Sequence, residues 1–264
     1  MSSSEQVPQA TLSYDEQSRI DRARERASTV DKLIGLRGQM VLEVGCGHGD
    51  FCKVLAEEYD CEVVGTEVLV YPEWEKIKHP KVTLTQLDIA AGQQFSENRF
   101  DRIVSFVVWE HMRHPWSALK ECQRILKPDG KKYLHAYLYG APRLSHLHYL
   151  IPDPWLHLTH SPNEIMQRLG KSELPWHFWC NRVSYLHYLQ YFRKLGFYVT
   201  YENIIREPFP DDYYRENEKL LGLYSEYDLR MHGFQVVLDF DINNPKTPID
   251  DAVYSKMTKI NVIV

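Results

Sequence analysis

The stretch Val41–Phe51, VLEVGCGHGDF, decides how this chain is read. Strand-forming residues run into glycines at 45, 47 and 49, and a helical pattern, DFCKVLAEEY, follows. Such a turn lets a ligand touch bare backbone, because glycine accepts positive φ and carries no Cβ. A dinucleotide site needs G-x-G-x-x-G, with the pyrophosphate on the helix N-terminus. Here the spacing is G-x-G-x-G. Glu43 and Asp50 flank the turn with carboxylates, which repel a pyrophosphate. The pattern suits a ligand with a cation and no phosphate.

Outward from this turn, strand and helix patterns alternate. MVLEVG, CEVVGTEV, KVTLTQLD, FDRIVSFVV and KKYLHAYLYG read as strands, with helical stretches such as PWSALKECQRILK between them. FYVTYENIIR and GFQVVLDF add two late strands. This predicts an α/β fold, a doubly wound and mostly parallel seven-stranded sheet, with ligands at the carboxyl ends of the strands. After Gly140 the rhythm breaks into a segment rich in His, Trp and Pro, read as an irregular, partly helical cap inserted after the fifth strand. The expected organisation is a disordered start and N-terminal helix (1–38), a ligand-binding core (39–140), an acceptor-binding cap (141–182), and the remainder of the sheet with a tail (183–264). The tail ends in KINVIV, a candidate edge strand.

Bulk properties narrow the function. The 264 residues are 44% hydrophobic and 25% charged, as in soluble globular proteins. A formal net charge of −5 gives no broad basic surface, so nucleic acid is not expected as the main partner. No apolar run approaches the ~20 residues of a membrane span. The start, MSSSEQVPQA, has neither the basic nor the apolar region of a secretory signal. The five cysteines lack C-x-x-C spacing and read as reduced thiols of a cytoplasmic protein. The oligomeric state is open, a homodimer included.

VLEVGCGHGDF resembles the first motif of the class I S-adenosylmethionine (SAM)-dependent methyltransferases, and the likeness extends in order through VVGTEV, LTQLDIA, FDRIVSFVVWEHMRHP and ILKPDGKKYLHAY. The resemblance implies a Rossmann-like sheet that binds SAM and releases S-adenosylhomocysteine. It implies Gly45, Cys46 and Gly47 as the backbone cradle and Glu67 as acceptor for the ribose hydroxyls. Asp88 and Ile89 would meet the adenine, and the backbone at Ser105 and Phe106 the methionine ammonium. Glu43 is read as ordering the loop, and Tyr14, Arg19, Arg22 or Arg24 as candidates for the methionine carboxylate. The chemistry agrees: a carboxylate accepts two hydrogen bonds from a cis-diol.

Methyl transfer to a hydroxyl benefits from a base, and a neutral amine needs none. Nine of the twelve histidines lie between His111 and His187. His111, shortly after the fourth strand, is the leading candidate base, with His157 and His160 of the cap in reserve. Tyr139, Tyr149, Trp155, Trp176 and His177 are candidates for the acceptor wall. His146/His148 and His157/His160 have pair spacings that suit a metal, but neither pair has an evident carboxylate or cysteine to complete a set, so no metal is expected. The reading is a cytoplasmic methyltransferase for a small polar acceptor, with the hydroxyl of a sugar, a surface-polysaccharide precursor or a natural-product intermediate preferred. An N-methyltransferase acting on a small amine is the alternative. A non-catalytic SAM-binding scaffold is the alternative of another class.

Overall fold

The computed structural model describes residues 15–240. The expectations for the first thirteen residues, Tyr14 and the KINVIV strand lie outside them. The chain begins with α1 (Glu16–Ile34), whose Asp15 side chain caps the Ser18 N–H. Then come β1 (Met40–Val44), α2 (Asp50–Tyr59), β2 (Glu62–Glu67), β3 (Val82–Gln86), β4 (Phe100–Phe106), α3 (Pro115–Ile125) and β5 (Leu126–Tyr137).

The seven strands lie in the order β3-β2-β1-β4-β5-β7-β6, with β6 (Phe197–Ile205) and β7 (Gly233–Phe240). Strands β1 to β5 are mutually parallel, and β7 runs antiparallel between β5 and β6. The expected sheet is therefore present. Side-chain alternation splits its apolar residues between two faces. Val41, Val63, Val104 and Phe106 pack with Phe51 and Leu55 of α2 and Ala23 and Ala27 of α1. Leu42, Val44 and Ile103 pack on the other face with Leu119 and Ile125 of α3 and Tyr188 and Phe192 of α6 (Tyr185–Lys194).

Two local expectations shift. PWSALKECQRILK ends its helix at Ile125, because Pro128 disfavours helical backbone at Lys127. The strand starts at Leu126, with a register irregularity opposite Phe100/Arg102 that takes up the PDG turn. The acidic stretch DDYYRENEKLLGLY forms two short helices, α7 (Asp211–Glu216) and α8 (Glu218–Leu221), followed by α9 (Glu226–Leu229).

The cap holds the single-turn α4 (Leu156–Thr159) and α5 (Pro162–Leu169), whose start is closed by a Ser161/Glu164 capping box. Leu147, Ile151, Leu156 and Ile165 form its own small core. Trp155 joins Leu221 and Leu229 in a further cluster, so the β6–β7 connection packs against the cap. Residues 183–264 thus contribute more than sheet: part of that segment supports the cap.

Candidate active site

The glycine turn lies at the carboxyl end of β1, beside β4, where the order of the sheet reverses. Gly45 and Cys46 N–H groups donate to Thr66 O at 2.8 and 3.0 Å, locking the turn against β2. Gly45, Gly47 and Gly49 have φ of 78°, 49° and 85°, as the sequence requires. A Cβ on Gly45 would meet Val108 Cγ2 at 2.2 Å, whereas one on Gly47 would meet nothing within 4 Å among the described residues. Gly45 therefore admits the β4 loop, and Gly47 faces open space. Gly45→Ala combines left-handed strain with overpacking and should cost about 2–4 kcal/mol of folding stability in urea titrations. A wild-type midpoint would refute this.

The acidic residue at the end of β2 comes to this turn. Gly47 N–H donates to Glu67 Oε2 at 3.2 Å, and Val68 N–H donates to Oε1 at 2.8 Å. Each oxygen keeps accepting capacity for a further donor. Trp74 Nε1–H donates to Gly47 O at 2.8 Å, and the Tyr71 ring lies 4.7 Å from His48. These two aromatics, carried by the loop after β2, wall the turn and escaped the sequence reading. Their only sequence signal was YPEW directly after a strand end. At the end of β3, Asp88 accepts from Ala90 N–H at 2.9 Å, and Ile89 is buried beside it.

Glu43 is 3% exposed and accepts from the Cys52 thiol at 3.0 Å. Burial raises its carboxyl to about 7, while the Cys52 S–H and the charge of Arg26 pull the other way. Unfolded, it titrates near ~4.3. Between those values the folded chain holds the proton more tightly, so this contribution to stability falls as pH rises through the window. The stability difference between wild type and Glu43→Gln should decline from about pH 5 to pH 8 by up to roughly 3 kcal/mol. A difference independent of pH would exclude it.

Of the cationic candidates in α1, Arg19 is paired with Asp50 at 2.8 Å and Arg24 with Glu58 at 2.7 Å. Arg19 therefore offsets the negative charge that Asp50 places at the turn. Arg26, which the sequence reading passed over, sits with its guanidinium 4.8 Å from the Phe106 ring centroid, over the end of β4. It keeps solvent contact, yet its crowded surroundings lower its pKa, with Glu43 opposing.

At the end of β4 the Ser105 hydroxyl donates to Val44 O at 2.9 Å, bridging to β1. Val107 follows with φ 56°, an unusual conformation for a β-branched residue and the kind of strain that collects at functional turns. The one-turn 3-10 segment Trp109–His111 then presents His111. Asn181, at the far end of the cap, clamps this turn: its side-chain N–H groups donate to Trp109 O (2.7 Å) and Met112 O (3.0 Å), and its backbone N–H to Glu110 O (2.7 Å). Beneath it, Lys132 Nζ lies 4.0 Å from the Trp109 ring centroid. Glu110 is buried, its oxygens lack a well-aligned partner among the described residues, and burial raises its carboxyl to about 8, offset in part by backbone amides.

His111 Nδ1 lies 3.0 Å from Trp179 O. A carbonyl only accepts, so the proton sits on Nδ1 and the lone pair on Nε2. Burial lowers the His111 pKa, which keeps the ring neutral near pH 7. His146 (rings 5.0 Å apart) and Trp176 (5.5 Å) stand beside it, with His177 6.2 Å from His146. The Cys180 thiol is 3.7 Å from His111 Nδ1.

The structure separates the remaining candidates. His157 donates from Nε2 to Tyr139 O at 2.8 Å, which fixes the strand end that carries Tyr139, and burial lowers its pKa to about 4. Both His160 nitrogens are engaged, Nδ1 with Thr159 Oγ1 and Nε2 with Arg168, which leaves no lone pair for a base. Trp155 is fully buried and donates to Gly140 O at 2.7 Å, placing it in the interior rather than on a wall. Tyr149, 58% exposed, lies beside His148, apart from the His111 group. Trp176 is 63% exposed next to His111. Tyr139 packs with Ala141, Leu144 and Cys180. Tyr139, Trp176 and His177 therefore border the His111 turn, and Tyr149, Trp155 and His160 do not.

Comparison with known proteins fits this geometry. Residues 42–134 match a family model described as a methyltransferase domain. A ubiquinone biosynthesis O-methyltransferase of Pseudomonas paraeruginosa is 28% identical over 139 residues, 48% of this chain and 60% of that protein. The chain thus spans about 60% of the length of the first curated relatives it matches. A SAM-dependent methyltransferase of Mesorhizobium loti has a similar structure, with a TM-score of 0.54 at 16% identity, covering 83% of this chain and 99% of that one. The phospholethanolamine N-methyltransferase 2 of Haemonchus contortus, solved with phosphomonomethylethanolamine and S-adenosylhomocysteine, gives 0.53 at 16% identity over 82% of this chain and 52% of that one. The chain has the Rossmann-like methyltransferase fold. Residues 42–134 carry a methyltransferase domain, set in a sheet whose fold is that of SAM-dependent methyltransferases.

Proposed function

We propose that this protein transfers the methyl group of SAM to a hydroxyl of a small polar molecule. The observation that carries the reading is the closure of Glu67 onto the Gly47 N–H, which sets a carboxylate beside an open backbone cradle at the end of β1. SAM fits that set. Its ribose diol donates to Glu67, its adenine amine to Asp88, and its adenine stacks within reach of the Ile89 side. The main chain at Ser105 and Phe106 takes the ammonium, and Arg26 joins the α1 residues as a candidate for the carboxylate. Bound there, SAM supplies a methyl already activated by positive sulfur.

The chain's own residues align the acceptor, exclude water and manage one proton. Proton removal is centred on His111, whose Nε2 lone pair is set by the Trp179 carbonyl. The relatives named as O-methyltransferases support a hydroxyl acceptor. A sugar, a polysaccharide precursor or a natural-product intermediate remains our preferred class, because Tyr139, Trp176 and His177 offer a polar aromatic border. The test is incubation with methyl-labelled SAM and fractionated cytosolic metabolites, with mass analysis of the labelled product. A product labelled on oxygen supports the proposal. A label on nitrogen replaces it with amine methylation, and tight SAM binding with no labelled product replaces it with a non-catalytic role.

A further inference from the structure

Three side chains far apart in sequence meet at the His111 turn. His111 comes from the end of β4, His146 from the start of the cap and Cys180 from its end. One ligand atom of each lies within 4.8 Å of those of the other two. The sequence expectation of no metal rested on spacing within the cap, where no cysteine completes a histidine pair. The fold supplies that cysteine from the far end of the same segment.

We propose that His111, His146 and Cys180 hold one zinc-type divalent cation. Two imidazoles and one thiolate suit a borderline-soft ion, and three protein ligands leave a fourth position open. Tetrahedral bonds of ~2.0–2.3 Å put ligand atoms roughly 3.3–3.8 Å apart, so closure from the observed cluster needs about 1 Å of side-chain movement.

Independent observations point to the same spot. His146 Nε2 is buried with no hydrogen-bond partner among the described residues, an orphaned lone pair or proton that a ligand would satisfy. The Cys180 thiol stands 3.7 Å from His111 Nδ1, so thiol and imidazole already meet. Asn181, adjacent to Cys180, fixes the His111 turn through three hydrogen bonds. The Trp176 ring, 5.5 Å from His111, borders the open side.

Binding would tie both ends of the cap to the core. Its chemical role rests on the methyltransferase reading. An acceptor hydroxyl at the fourth position loses its proton to solvent near neutral pH, as metal-bound water does. The acceptor oxygen then forms its bond to the methyl carbon while the carbon–sulfur bond breaks. The electron pair stays on sulfur, leaving a neutral thioether. In this arrangement His111 acts as a ligand, and the cation lowers the pKa of the hydroxyl.

The test uses the full chain with cobalt(II), without SAM or acceptor. One cobalt per chain with a thiolate-to-metal absorption band is expected, displaced by zinc(II). The band should vanish in Cys180→Ser. His146→Ala should weaken zinc binding by more than the ~10–100-fold typical of losing an outer hydrogen-bond partner. SAM calorimetry on each variant reports that it is folded. A wild type without the band, or a band that survives Cys180→Ser, overturns the site. If a variant does not fold, the wild-type band and its stoichiometry still decide. A metal-loaded wild type that methylates nothing would sink the functional reading and leave the site standing.

Discussion

Glu67→Ala should all but abolish SAM binding. The carboxylate is expected to accept two hydrogen bonds from the ribose diol, and bonds to a charged acceptor are worth about 1.5–3 kcal/mol each. Losing both should cost about 3–6 kcal/mol, on the order of 10²- to 10⁴-fold in Kd. The structure adds a second contribution, because Glu67 Oε2 also holds the Gly47 N–H. Removing it loosens the backbone cradle itself. Glu67→Gln separates the two effects: its single carbonyl oxygen can hold Gly47 but has less capacity left for the diol, so it should fall between wild type and alanine. Isothermal calorimetry with SAM and with S-adenosylhomocysteine measures both. Wild-type affinity in Glu67→Ala would remove the cofactor assignment.

His111→Ala should lower kcat by ~10²-fold or more while SAM affinity stays near wild type. The separation follows from position. His111 stands on the turn after β4, whereas the SAM contacts proposed here lie on the glycine turn and the ends of β2, β3 and β4. The loss is expected whether the imidazole takes the proton itself or holds the cation that acidifies the acceptor. Steady-state kinetics with the identified acceptor, beside calorimetry with SAM, check it. An unchanged kcat together with an inactive His157→Ala would move the base into the cap. Unchanged rates in every histidine variant would leave alignment alone, or an amine acceptor, as the account.

The strands and the glycine turn were legible in the sequence because both are local. Strand–turn–helix patterns repeat every few tens of residues, and the turn carries its glycines in one short run. The glycine φ values had to be positive, and they are. Glu67, Asp88 and Ser105 were pointed to by the resemblance to the methyltransferases, and each lies near the end of a strand that parallel order brings to one edge. The boundary errors arose where a proline overrode helical periodicity, at Pro128, and where one acidic stretch broke into two short helices.

What the sequence by itself determined is therefore the alternation of strands and helices and the glycine turn with its flanking carboxylates, since backbone sterics and apolar periodicity act over a few residues; the strand order came with the tertiary structure. Only the tertiary structure decided which cap side chains are buried and which stand together at the His111 turn. Trp155 looked like a wall and is interior, because the β6–β7 connection, more than fifty residues away, closes over it. His160 looked like a base and has both nitrogens engaged, by Thr159 and by Arg168 of α5. Cys180 looked like an isolated thiol and stands 3.7 Å from His111, sixty-nine residues earlier in the chain. The physical reason is that the cap lacks a repeating period. Its contacts are set by which residues the core and the β6–β7 connection bury, and such long-range packing leaves no mark in local spacing.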